Sequence, residues 1–360
     1  MVVAIHRDTA YVDRYGEQWA ARLEERGIAV RWVDLTARDA LAQVTGCDGA
    51  MWRFGHLPED MRVAPRVLAA IEQVLGIPCF PDRATAWHYD DKVSQYYLLA
   101  GAGFAMPPTW IFWDAAAARR WAAGAAYPKV FKLSAGSSGA NVLRIESAVE
   151  AHALIDRMFG HGIPGGLVDA PALPPRPART PRTLVEAAAR RGRAALRALR
   201  GVVSAPPPSR WSVERGYAYF QEWLPDQPFD TRVFVIGERA FAYRRYPYPG
   251  DFRASRSGGP RDYDPAGIDP RMLQLCFAIS RRLGFQSMAY DLMLHRGDPV
   301  VLEMSYTFGV GRHQCAAYWT PDLERVERDV WPYTAQVEDF VRRIEARRPK
   351  PAGRPAGPLA

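Results

Sequence analysis

The run MAYDLMLHRGDPVVLEMSY, residues 288–306, constrains this chain more than any other stretch. Two apolar segments of strand character flank His295-Arg296-Gly297-Asp298, a tight-turn signal. Antiparallel pairing centred near residue 297 sets Asp291 opposite Glu303, with Cβ atoms about 5 Å apart. Ser305, two residues beyond Glu303, shares their face, and the same count places Ala289, Met293 and Val301 there too. Two like charges opposed on a mostly apolar face repel each other and weaken the sheet. A divalent cation removes the conflict, and oxygen ligands alone select Mg²⁺ or Mn²⁺ over zinc. Asp291, Glu303 and Ser305 are therefore the candidate metal ligands. The plainer alternative is a strand whose acids are solvated or paired with arginine.

The rest of the 360 residues allows roughly two or three domains, and a 48% apolar composition supplies a sizeable core. Strand-like runs at Val2–Ile5, Val30–Val33 and Gly49–Trp52 alternate with helix-like runs at Glu17–Arg26 and Arg66–Leu75, which predicts a parallel α/β unit. A helix is expected from Asp90 to Gly101, capped by Asp90 or Asp91. Strands are then expected at 110–113, 129–133, 141–145, 217–224, 231–236 and 240–244, with helices at 270–283 and 338–347. The four cysteines are scattered and form no C-x-x-C pair, and charges at His6, Arg7 and Asp8 interrupt any leader-like apolar run. A reducing, cytoplasmic home is the expectation.

A small-residue loop, SAGSSGA at 134–140, joins two of the strands. Its Gly136, Gly139 and serines, Ser137 and Ser138 among them, let backbone N–H groups approach phosphate oxygens. It is no Walker A loop, because a strand follows it where a helix is needed. Lys132 shares a strand face with Val130 beside this loop, which suits an anionic ligand; a solvated edge lysine is the ordinary alternative.

Charge is unevenly spread. Residues 161–210 carry nine arginines against Asp169 and Glu186, a surplus of seven that leaves the remainder near +1 of the total +8. Prolines at 171–177 and 206–208 bracket the segment, and Leu184, Ala188, Leu196, Leu199 and Val203 fall at helical spacing. This is a basic amphipathic helix on Pro-rich hinges. Its expected partner is an anionic surface, the inner membrane leaflet or an acidic protein, unless its apolar stripe simply packs on the fold. Nucleic acid is not the expected partner, since the charge belongs to one segment and not to the whole.

Taken in order, several pieces resemble the ATP-grasp superfamily, and within it the RimK-type glutamate ligases and glutathione-synthase-like ligases. They are Lys92 in DDKVSQ, Lys132 in PKVFKL, the SAGSSG loop, Gln221-Glu222 in YFQEWLP, Asp230 and Arg232 in FDTRVFVIG, GDFRASRSGG, Asp291 in AYDLML and Glu303 in VVLEMSY. The resemblance implies an α/β fold class: an N-terminal parallel α/β domain over 1–84, then a two-lobed grasp domain over 85–345. Its small lobe would cover about 105–222 and its large lobe about 223–345, with the 161–210 insert between and a disordered tail at 346–360.

It also implies roles. Lys92, Lys132, Ser137, Ser138 and Gly139 would hold ATP phosphates. Gln221, Glu222, Trp223 and Leu224 would form the hinge at the adenine and ribose, with Asp230 nearby. Arg232 and Arg253 would neutralise the transferred phosphoryl group and the acyl phosphate, while Asp291, Glu303 and Ser305 would hold Mg²⁺ or Mn²⁺. The family usually carries asparagine where Ser305 stands, and FRASRSGG departs from its usual FRSN-type run. The implied activity joins the carboxylate of an amino-acid, peptide or glycan-type small molecule to an amine through an acyl phosphate at the expense of ATP. Two alternatives remain: an ATP-grasp phosphotransferase, and a non-catalytic nucleotide- or membrane-surface-binding protein.

Overall fold

The computed structural model describes residues 1–7, 15–136, 141–165, 212–248, 251–254, 259–309 and 315–347. Four parallel strands open the chain: β1 (Val2–His6), β2 (Ala29–Val33), β3 (Gly49–Met51) and β4 (Cys79–Phe80), in the order β2-β1-β3-β4. Helices α1 (Tyr15–Glu24), α2 (Ala40–Val44) and α3 (Pro58–Gln73) connect them. The helix expected from Arg66 starts at Pro58 instead and runs through Pro65. Burial of Ala64, Leu68 and Ile71 on one face outweighs the backbone bond that Pro65 cannot make.

After the short α4 (Arg83–Ala86), helix α5 (Lys92–Gly101) begins where Asp91 accepts the N–H groups of Val93 and Ser94 at 3.1 and 3.0 Å. A second sheet follows, made of β5 (Thr109–Phe112), β6 (Lys129–Lys132), β7 (Val142–Ile145) and, after a short β8 (Ile163–Pro164) paired with β9 (Val213–Glu214), strand β10 (Ala218–Glu222). Its order is β5-β10-β6-β7. Two helices unforeseen in the sequence cover one face: α6 (Ala115–Gly124), capped by Asp114, and α7 (Ala148–Phe159), capped by Ser147. Short apolar side chains hid the period of α6, whereas Ala151, Leu154, Ile155 and Met158 of α7 follow helical spacing. Both caps were present as signals, and S-A-V-E is a capping-box spelling. The β8–β9 pair brings residues 163–164 beside 213–214, so the two ends of the arginine-rich segment meet. The amphipathic helix expected within it lies outside the described residues, as does the expected disordered tail from 348 onward, while residues 346 and 347 of that tail instead end the last helix.

The third sheet has seven strands, β11 (Asp230–Ile236), β12 (Arg239–Arg245), β13 (Arg261–Asp262), β14 (Ser287–His295), β15 (Asp298–Ser305), β16 (Tyr318–Trp319) and β17 (Arg325–Val326). Helix α8 (Pro270–Leu283) matches its expected bounds, with Asp269 and Pro270 at its start and Gly284 at φ 72° at its end. One apolar core joins this sheet to the first: Ala50, Trp52 and Leu68 pack in the same cluster as Val233, Met272 and Tyr290. Helix α9 (Pro332–Arg347) returns to the N-terminal unit, where Val337, Phe340 and Ile344 pack with Ile5, Trp19 and Leu23.

The β14–β15 hairpin corrects one sequence expectation. Its turn is a two-residue one, with His295 opposite Asp298 and positive φ at Arg296 (54°) and Gly297 (89°). That register alone sets Asp291 against Leu302. A bulge between Asp291 and Leu292 in the pairing adds one residue on β15, and beyond it Asp291 faces Glu303. Before the bulge, Val301 pairs with Leu292 and is fully buried, so Val301 does not share the carboxylate face.

Candidate active site

A cavity of about 540 Å³ lies between the second and third sheets. One wall is β6 and the end of β10, and the other is the hairpin of β14 and β15. Alternation on β6 turns Val130 and Lys132 into it together, as their shared face predicted. Gln221, Glu222, Trp223 and Leu224 line it where β10 leaves its sheet, and Asp230, Arg253, Asp291 and Glu303 complete the polar rim.

Lys132 is 7% exposed and donates to Oε1 of Gln221 at 2.6 Å. Burial pushes its ammonium down to about 8, against the pull of Glu303. Gln221 is held in turn by Nε2 donation to Thr109 at 3.0 Å. Glu222 accepts from Lys129 at 2.8 and 3.0 Å, a partner that sequence reasoning missed although Lys129 precedes Lys132 by one strand repeat and a half. Trp223 is half-buried, edge-on to Phe252 at 5.3 Å, with the Arg144 guanidinium 4.4 Å above its ring.

The opposed carboxylates meet as expected, but each already faces cations. Arg232 donates Nε to Oδ1 of Asp291 at 2.7 Å and Nη2 to Oδ2 at 3.0 Å. Arg245, which was not singled out in the sequence, reaches the same Oδ2 at 2.8 Å and binds Asp230 at 2.6 and 2.7 Å. Burial alone raises the pKa of Asp291, yet the two guanidinium groups outweigh it and hold the carboxyl well below the usual range. Glu303 is more open, 28% exposed at its side chain, and pairs with Lys92 at 3.1 Å. Lys92 is buried, and its Nζ also donates to the carbonyl of Gly136 at 2.7 Å, so it ties the Gly/Ser loop to the carboxylate hairpin.

Other candidates are placed differently. Ser305 pairs with Ala289, and its hydroxyl donates to the Thr307 carbonyl at 2.6 Å; it lines a second cavity beside the first. Arg253 sits in the main cavity, bonded to Asp251 at 2.9 and 3.0 Å. Ser137, Ser138 and Gly139 lie outside the described residues, although Gly136 at the start of their loop reaches the cavity wall.

Whether the residues present suit a divalent cation is decided by the donor set. The described residues contain no cluster of three or more acidic, histidine or cysteine ligands. A small hard cation needs only one or two carboxylates when phosphates and water supply the remaining oxygens. Glu303 and the one lone pair of Asp291 that three guanidinium contacts leave open meet that requirement, with Glu303 the less committed of the two. Among the described residues, no helix is long and apolar enough to cross a membrane.

No protein-family model matches the sequence, and no curated protein matches it. Solved structures do. D-alanine–D-alanine ligase from Bacillus anthracis superposes with a TM-score of 0.54 at 12% identity, over 96% of this chain and 98% of that one. The ATP-grasp ligase PsnB, complexed with a precursor peptide and AMPPNP, gives 0.53 at 14% identity over 95% and 98%. D-cycloserine synthetase DcsG gives 0.53 at 16% identity over 96% and 100%. Likeness at these identities speaks for architecture, and it spans nearly the whole of each chain: this chain has the ATP-grasp fold.

Proposed function

We propose that the chain is an ATP-dependent carboxylate–amine ligase that works through an acyl phosphate. The observation that carries this reading is the cavity between the two sheets. It gathers a lysine, a hinge segment and two opposed carboxylates from three distant parts of the sequence. Simple binding of a nucleotide has no use for a pair of facing acids, whereas phosphoryl transfer does. The architecture is shared with D-alanine–D-alanine ligase, PsnB and DcsG, and PsnB has been solved with Mg and ADP.

In this reading residues 1–84 form the leading domain and 85–345 the grasp domain. The base lies against Val130 and Leu224, with the Gln221–Leu224 backbone at its edge and Trp223 beside it. Lys132 and Lys92 hold phosphate oxygens as point charges, and Glu222 holds the ribose. Glu303 and Asp291 would hold Mg²⁺ or Mn²⁺, which when bound neutralises charge on the phosphates. A substrate carboxylate attacks the γ-phosphorus, its C–O⁻ becoming the acyl phosphate as ADP departs. Arg232, fixed by Asp291, and Arg253, fixed by Asp251, meet the developing charge without having to reorganise. The amine then displaces phosphate from the acyl carbon. The enzyme would act in the cytoplasm, with the arginine-rich segment able to dock on an anionic surface.

Incubation with MgATP, hydroxylamine and pooled small carboxylic acids tests the reading, because hydroxylamine captures acyl phosphates as hydroxamates. ADP and hydroxamate forming together support it. ADP with a stable phosphorylated acid and no hydroxamate favours the phosphotransferase alternative.

A further inference from the structure

A second cavity, of about 260 Å³, shares Asp291 and Glu303 with the first. Arg53 and His56, from the loop after β3, and Tyr89 and Asp90, just before α5, also line it. The acids of this cavity are not equivalent. Asp291 is bound by Arg232 and Arg245, and Glu303 is bound by Lys92. Asp90 forms no such pair among the described residues. Its Oδ1 accepts the N–H of Gly136 at 2.9 Å, and its Oδ2 accepts no hydrogen bond from any described residue. The counter-charge acting on it is Lys92, which is committed to Glu303 and to the Gly136 carbonyl.

The backbone at Asp90 is left-handed, at φ 52°. An aspartate tolerates that region better than most residues but still bears strain there. Strain of this kind persists where surrounding structure holds it, and here Gly136 and the α5 start do so. The side chain is thereby fixed on the cavity wall, one loop contact from the phosphate-binding segment and next to the Lys92–Glu303 pair.

Resting on the ligase reading above, we propose that the second cavity is the acceptor site and that Asp90 anchors the acceptor's ammonium group through its open carboxylate oxygen. The ligand class is a small primary amine that is cationic at neutral pH. Burial pushes the Asp90 carboxyl up to about 6, which leaves it charged at neutral pH. The pairing is then a charge-assisted hydrogen bond in a partly desolvated site. An ammonium held there faces the carboxylate hairpin at which the acyl phosphate forms; it passes one proton to the Asp90 carboxylate, and the neutral nitrogen attacks the acyl carbon as phosphate leaves.

Asp90→Asn tests this. Asparagine accepts the same Gly136 bond and tolerates the same backbone region, so the fold and the loop contact persist while the charge is lost. A melting curve checks the fold. An acid is first identified with wild-type protein by hydroxamate formation, using MgATP, hydroxylamine and pooled amino, dicarboxylic and hydroxy acids. Pooled amines then replace hydroxylamine to find an acceptor. Hydroxylamine is uncharged at neutral pH, so it gains nothing from an anionic anchor. The expected result is that Asp90→Asn raises the KM for the cationic amine, relative to that for hydroxylamine, by about tenfold or more. An unchanged ratio overturns the assignment, whether both nucleophiles suffer equally or neither does. A wild-type protein that releases no ADP and forms no hydroxamate with any acid sinks the ligase reading itself, and this assignment with it.

Discussion

Replacing Lys132 by methionine separates the roles of a buried charge in folding and in ligand binding. The ammonium lies in a site that lowers its pKa from 10.5 to about 8. That shift corresponds to about 3 kcal/mol of penalty for keeping the charge in the folded state at neutral pH. Methionine removes the penalty and keeps much of the side-chain volume. It also removes the 2.6 Å bond to Gln221, leaving a buried amide oxygen without its donor, which costs about 1–3 kcal/mol. The two nearly offset, so the ligand-free variant should melt close to wild type.

Nucleotide affinity behaves differently. Loss of a charged contact to phosphate, worth about 1.5–3 kcal/mol, weakens binding roughly 10- to 100-fold. The pH dependence gives a second check. In wild type the unfolded chain binds more protons than the folded one between about pH 8 and the unfolded lysine value of 10.5. The Lys132 contribution to stability therefore rises with pH across that window, and the penalty is fully present below it. The variant lacks this rise. Wild-type nucleotide affinity should fall as pH climbs past about 8, because binding then requires proton uptake by Lys132. Denaturant melts at neutral and alkaline pH, with nucleotide titrations, measure all of this. Unchanged affinity in a folded variant refutes the phosphate role, and identical pH slopes refute the buried charge.

Glu303→Gln should cut ATP turnover by roughly 10²-fold and also lower the melting temperature, since buried Lys92 loses its paired carboxylate; full turnover contradicts the site. Asp291→Asn should cost activity and also about 3 kcal/mol or more of stability, because Arg232 and Arg245 lose a buried counter-charge; a melting curve matching wild type contradicts that pairing. Replacing residues 171–208 by a short Gly/Ser bridge should spare nucleotide binding, because β8 and β9 already hold the two ends together, and should abolish any sedimentation with anionic liposomes at low salt; loss of folding would instead place that segment in the core. Gly49→Ala should lower the melting temperature without altering nucleotide affinity, since a Cβ there comes within 2.6 Å of Ile344 and 2.9 Å of Phe340 on α9.

What could be read from the sequence was whatever local geometry determines. Hairpin counting brought Asp291 opposite Glu303, although the bulge at Leu302 made that true and moved Val301 to the other face. Period-two alternation put Val130 and Lys132 on one wall. Groups joined only by tertiary packing were invisible. Arg245 becomes relevant because β12 pairs with β11, which pairs with β14. Arg53 and His56 reach the second cavity only when the first sheet packs on the third. Asp90 read as a helix cap, but Asp91 does the capping and frees Asp90 for Gly136. Helix α6 escaped notice because alanine carries little periodic signal, whereas α7 was legible in its Ala151, Leu154, Ile155 and Met158 stripe and was missed; both N-caps were written in the chain.

The central claim is that ATP activates a carboxylate as an acyl phosphate, and oxygen transfer tests it most directly. With the acid found by hydroxamate capture, its carboxylate is labelled with heavy oxygen and the enzyme is turned over with MgATP and an amine. Attack of that carboxylate on the γ-phosphorus, followed by amine attack at carbon, leaves one carboxylate oxygen on the released phosphate. One labelled oxygen in inorganic phosphate for each ADP is the predicted result. Unlabelled phosphate, or label retained in a stable phosphorylated acid with no amide, contradicts the ligase mechanism.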